Sequence, residues 1–135
     1  MEFALIAPLF VLLTLGVVDI GRAFMISNQV RGAAREAGAF VQGHPSAQVP
    51  GSGCADPNNA QWKALNERGA AGATVVFSPA VACGATGPSV PGPGDQIAVT
   101  VSRDMRLLTP FVGQLVGDGT TLSVTGRVKV VVQGA

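Results

Sequence analysis

From Phe3 to Val18 the chain reads FALIAPLFVLLTLGVV, a run without one charged residue, bracketed by Glu2 before it and by Asp19 and Arg22 after it. Beyond Asp19 the pattern changes. Phe24, Val30, Ala33, Ala34, Ala37 and Phe40/Val41 recur at three- and four-residue steps, while Arg22, Gln29, Arg31, Arg35 and Glu36 occupy other faces. This predicts a single helix from about Glu2 to Val41, apolar all round in its first half and amphipathic in its second. A segment apolar on every side is expected to be buried in lipid or against copies of itself. Pro8 removes one backbone donor inside the helix, so a kink or local melting is expected near residues 4–8. Asp19 and Arg22, three apart, are placed to pair on one face.

The remainder alternates between turn signals and strand signals. Gln42–Ala55 reads as a linker, punctuated by His44-Pro45, Pro50-Gly51 and Gly53. Asp56-Pro57 reads as a helix cap followed by proline at the first helical position. The short helix it opens is predicted to run to about Arg68, with Trp62 and Leu65 inward and Gly69 as its stop. Thr74–Phe77 is a first strand, and Gly84–Gly94, rich in proline and glycine, is an irregular loop. Gln96–Ser102 alternates cleanly and puts Ile97, Val99 and Val101 on one face. Arg106–Val116, which holds Thr109-Pro110, is expected to connect strands as a short helix or turn. The last strand, Thr121–Gln133, directs Leu122, Val124, Val128, Val130 and Val132 inward, with Ser123, Thr125, Arg127 and Lys129 outward. Gly126 falls on the inward face and is expected to mark a bulge. The fold class is therefore α+β. Residues 1–41 form a long hydrophobic helix for assembly and membrane insertion, and residues 42–135 form a head with a short helix and a small, mostly antiparallel sheet packed on that helix.

Composition narrows the possible partners. Only 13% of residues are charged and the formal net charge is +1, so there is no electrostatic footprint for nucleic acid and no polybasic segment for anionic lipid. Low charge beside 47% hydrophobic residues implies that much of the exterior is covered, by lipid or by neighbouring subunits. An acid rather than a Lys or Arg precedes the apolar core, and the helical pattern runs straight on, unlike a cleaved secretory signal. The uncharged run is about 16 residues, or ~24 Å of helix, against a hydrocarbon core of ~30 Å. It spans only if tilted, or if Asp19 and Arg22 sit in the interface.

Candidate chemistry is sparse. Cys54 and Cys83 have no neighbouring histidine and no CxxC spacing, so a disulfide formed in an oxidising compartment is the better reading than a metal site. Two unpaired, partly buried thiols are the alternative. His44 is the sole histidine and lies in a Pro/Gly linker, and no Gly-x-Ser-x-Gly elbow is present. The glycines at 51–53 and 92–94 do not extend into phosphate-cradling motifs, and Asp56, Asp95 and Asp118 lack calcium-loop spacing. The expectation is a protein without catalytic residues, metal or cofactor. Trp62 reads as a core anchor rather than a stacking platform. Glu2 is the exception, because a carboxylate at the edge of an apolar helix is costly unless a cation meets it. In a parallel, staggered bundle that cation is a neighbouring subunit's N-terminal amine. The plainer alternative is that Glu2 marks the interface end of a membrane helix.

The stretch MEFALIAPLFVLLTLGVVDIGRAFMISNQVRGAAREAGAF resembles the N-terminus of TadE-like proteins, pilin-like components of tight-adherence (Flp-type) systems and relatives of type IV pilins. The segment IAVTVSRDMRLLTPFVG, followed by TLSVTGRVKV, is similar to the family's strand, LTP turn and final strand. The resemblance implies synthesis as a prepilin in the inner membrane, cleavage by prepilin peptidase, and incorporation by the pilus assembly machinery into an extracellular filament on the cell surface. Glu2 would match the pilin glutamate that pairs with a neighbour's amino terminus. One departure is visible: pilins carry that acid several residues after the mature start, and here only Met1 precedes it. The implied function is a structural, adhesive filament subunit whose partners are copies of itself, assembled through Glu2, Phe3, Leu5, Ile6, Leu9, Phe10, Leu12, Leu13 and Val17. The alternatives are a minor TadE-like pseudopilin of the same apparatus, or a membrane-anchored envelope protein that binds a partner through its head loops.

Overall fold

A computed structural model of the chain describes residues 2–51, 54–66, 70–109 and 121–133, with side chains on the first helix from Ile6 onward. Helix α1, Glu2–Gly43, is continuous through Pro8, so the expected local melting does not occur. It ends where His44-Pro45 follows, since a residue before proline is disfavoured in helical conformation and Pro45 has no N–H to extend the ladder. The expectations placed on Arg68, Gly69 and Asp118, and on the connection after Thr109, lie outside the described residues.

Three strands form one antiparallel sheet in the order β1 (Thr74–Ser78), β2 (Gln96–Arg106), β3 (Thr121–Val131). Phe77 lies opposite Val99, and Val101 opposite Gly126. Strand alternation then puts Phe77, Ile97, Val99 and Val101 on one buried face. Thr100, Ser102, Arg127 and Lys129 point away from it. The buried face packs on Val30, Ala33, Ala34, Ala37 and Val41 of α1. Phe24, expected on this face, is instead among the exposed large side chains.

Gly126 is paired in register with Val101 and forms no bulge. Its role is close approach. A Cβ there would stand 2.8 Å from the carbonyl carbon and oxygen of Val30, so only glycine lets the helix backbone settle on β3. Two turns further along α1, a Cβ on Gly38 would lie 3.0 Å from Val130 Cγ1, and at the far end the Gln133 N–H donates to the Gln42 carbonyl at 3.1 Å. Strand β3 therefore runs lengthwise along α1, in the same sense.

Helix α2 spans Ala60–Asn66, and its cap is Asn59 rather than Asp56. Asn59 Oδ1 accepts the Trp62 N–H at 2.7 Å, satisfying one of the free donors of the first turn. Its Nδ2 donates to Asp56 Oδ1 at 2.6 Å and to the Cys54 carbonyl, so Asp56 holds the cap in place instead of serving as one. Ala60 and Ala64 make the buried side, whereas Trp62 and Leu65 are only half-buried.

Candidate functional site

The apolar half of α1 is left uncovered by the rest of the described chain. Ile6, Leu9, Phe10, Leu12, Leu13 and Val17 are all exposed, Phe10 by 65%. Thr14, in the middle of this stretch, turns its hydroxyl back to the carbonyls of Phe10 and Val11 at 3.1 and 2.8 Å, so its polarity is satisfied within the helix. The side chains of Glu2, Phe3 and Leu5 lie outside the described residues, and with them the pairing expected of Glu2.

The uncharged run ends at Asp19, which is 3% exposed and turned to the head, although Ile20, Phe24 and Met25 beyond it are again exposed. The chain leaving β2 presents N–H groups that no longer have a ladder partner, and the Asp19 carboxylate receives them. Both carboxylate oxygens accept the Leu108 N–H at 3.0 Å, and Oδ2 also accepts the Thr109 N–H at 2.9 Å. The Thr109 hydroxyl donates to the same oxygen. Hydrogen bonds to an ionised acceptor are the stronger kind, and together they pin the loop after β2 to α1. Arg22 still acts on Asp19 as a nearby positive charge, as the i, i+3 spacing predicts, but these hydrogen bonds and not Arg22 hold the carboxylate. Arg22 reaches toward the Arg106 carbonyl, at a long 3.5 Å, because Asp19 has turned inward to the loop.

At the other end of α1 the Pro/Gly segments are tied together rather than loose. Cys54 and Cys83 form a disulfide, with 5.9 Å between their Cα atoms. Gln48 is fully buried; its Nε2 donates to the carbonyls of Pro45 and Pro79, and its Oε1 accepts the Val81 N–H at 2.8 Å. One side chain thus supplies the sheet-like bonds that this irregular backbone lacks. His44 stacks on Phe40 with ring centroids 4.8 Å apart, and the Lys63 ammonium lies over both the Phe40 and Trp62 rings. Among the described residues no group of three or more His, Cys, Asp or Glu gathers where a metal could bind.

The feature with the most reach is therefore the long helix: apolar and open as far as Met25, clamped at Asp19, and docked from Val30 on. Residues 1–39 match the family model for TadE-like protein. No curated protein and no solved structure matches the chain. The TadE-like segment takes in the open half, the clamp acid and most of the docked half. It ends before the sheet, so Thr109 and the strands that resemble the family's C-terminal block fall outside the match. The TadE-like match points to involvement in the Tad pilus system, and the long apolar helix is consistent with membrane anchoring.

Proposed function

We propose that the chain is a structural, non-enzymatic subunit of a bacterial type IV-like (Tad/Flp-type) pilus filament with a role in surface adhesion. It resides in the inner membrane first, is processed by prepilin peptidase, and is then passed by the assembly machinery into an extracellular filament of copies of itself. The observation that carries this reading is the row of large aliphatic and aromatic side chains left open on the TadE-like helix. Covering each of them contributes about 1.5–3 kcal/mol, which is ample to hold identical helices together in a core. The head then decorates the outside and supplies the adhesive surface.

The deciding experiment is Leu12→Asp in cells that otherwise make filaments. Filament yield by electron microscopy of sheared surface material should fall to background, while the head keeps its disulfide and its circular dichroism. Normal filaments would overturn the reading. In the proposed bundle Glu2 meets a neighbour's amine and sets the stagger between subunits, because desolvation offsets much of the Coulomb gain in stability. Glu2→Ala should therefore lower filament yield at equal subunit expression without unfolding the head. Unchanged yield and unchanged helical parameters would reduce Glu2 to an interface marker.

A further inference from the structure

The apolar surface does not stop where the uncharged run stops. Ile6, Leu9, Leu13, Val17, Ile20 and Phe24 follow at three- and four-residue steps and form one exposed stripe that passes Asp19, with Phe24 69% exposed. Further along, the same side carries Asn28, Arg31 and Arg35, all exposed. From Ile6, the first residue of α1 whose side chain is described, to Met25 the apolar surface covers about 20 residues, or ~30 Å of helix, and the sequence continues it back to Phe3, so that it is long enough to cross a bilayer's hydrocarbon core. The uncharged run alone is too short. The difference comes from Asp19, whose carboxylate is withdrawn from the stripe and buried under Leu108 and Thr109. The same hydrogen bonds hold Leu108, 52% exposed, beside α1 near the outer end of the stripe. Arg22, one turn from the stripe's end, has an apolar stem long enough to carry its guanidinium toward the headgroups.

We propose that Asp19 and the segment 107–109 form a seat for the head on a phospholipid bilayer. Ile20 and Phe24 lie at the outer edge of the acyl layer, and Leu108 dips into it beside them, so the head rests on the membrane instead of swinging above it. An apolar stripe long enough to cross the hydrocarbon layer, with Arg31 and Arg35 just past its end, selects a bilayer as the occupant. This inference rests on the membrane stage of the function proposed above and adds a surface of the head to it.

The test uses the whole chain, disulfide intact, in phosphatidylcholine vesicles at low protein-to-lipid ratio. Cys54 and Cys83 are bonded to each other, so one added cysteine takes up an environment-sensitive fluorophore alone. Probes are placed by Leu13→Cys, Leu108→Cys and Val76→Cys, the last on the exposed outer face of the sheet, and read against lipids spin-labelled at different depths. The Leu13 probe should be quenched by deep labels, and the Leu108 probe by shallow acyl labels several-fold more than the Val76 probe. Adding Asp19→Ala should drop Leu108 quenching to the Val76 level without changing Leu13. Thr109→Val should give an intermediate fall, and carries the test if the alanine variant does not fold. A Leu108 probe as wet as Val76, with Leu13 still quenched, overturns the seat and leaves the membrane stage standing. An unquenched Leu13 overturns both. Leu108 quenching indifferent to both variants overturns the part given to Asp19. Protection that appears only at high protein density assigns the patch to a second copy and overturns the bilayer as its occupant.

Discussion

The two halves of α1 invert the usual relation between side-chain size and burial. Between Val30 and Val41 the fully buried positions are mostly alanines, whereas between Ile6 and Val17 the open positions are leucines, isoleucine, valines and phenylalanine. The docked half is built for closeness. Alanine at Ala33, Ala34 and Ala37, with Gly126 facing Val30, lets the helix lie on the sheet backbone to backbone. Each such residue buries little area, so the fit must be tight, and at Gly126 the Val30 backbone leaves no room for one added carbon. The open half is built for area. Its side chains contribute nothing to the isolated subunit and a great deal once lipid or neighbouring helices cover them. One helix therefore holds a finished interface, from Val30 on, and an unfinished one that runs past Asp19 to Met25.

Perturbations of the two halves should therefore not cross. The largest effect is expected from opening the covalent tie in the head. Cys54→Ser with Cys83→Ser should lower head stability by about 3–4 kcal/mol, through the freedom returned to the unfolded chain. Denaturant titration of Trp62 fluorescence measures this, and helicity of the apolar half in detergent should stay unchanged. A parallel loss of that helicity would join the halves into one cooperative unit. Next, Gly126→Val places atoms where the Val30 backbone already stands, and should cost about 1–3 kcal/mol of head stability. A thermal melt equal to wild type would mean that the seam between α1 and β3 is slack. The smallest effect sharpens the contrast most. Leu13→Ala should change subunit stability in detergent by less than about 0.5 kcal/mol, although it removes a large apolar side chain and should reduce filament yield. A loss of 2 kcal/mol or more, the usual cost of a Leu→Ala cavity, would show Leu13 to be buried in the subunit itself.

Features carried by neighbours in sequence are legible from the sequence alone. The alternation in Gln96–Ser102 set the inner face of β2, and the inward and outward residues of β3 follow the same two-residue rule. Val30, Ala33, Ala34, Ala37 and Val41 were readable from helical spacing, and the two cysteines could be matched to each other. What escaped was carried by distance. Asp19 has Arg22 three positions away and Leu108 and Thr109 some ninety positions away, and only the fold says which of these it meets. Asp56 and Asn59 are both good capping residues within four positions, and the choice fell to the one whose amide also reached Cys54 and Asp56. Gln48 falls inside the segment read as a linker, yet its two-ended amide joins Pro45 before the sheet's first strand to Pro79 and Val81 after it. Gly126 reads as a bulge from its strand alone, because the reason for it, the backbone of Val30, lies nearly a hundred positions away.

The lengthwise course of β3 along α1 has a mechanical consequence. A tensile load drawn through the stalk enters the head along the helix axis and passes to a strand aligned with it. Strand β2 lies antiparallel to β3 over its whole length, from Gln96 opposite Val131 to Arg106 opposite Thr121. The bonds of that ladder stand perpendicular to the strands, and therefore to the pull. A load directed along β3 would therefore strain them together in shear rather than open them one after another from an end.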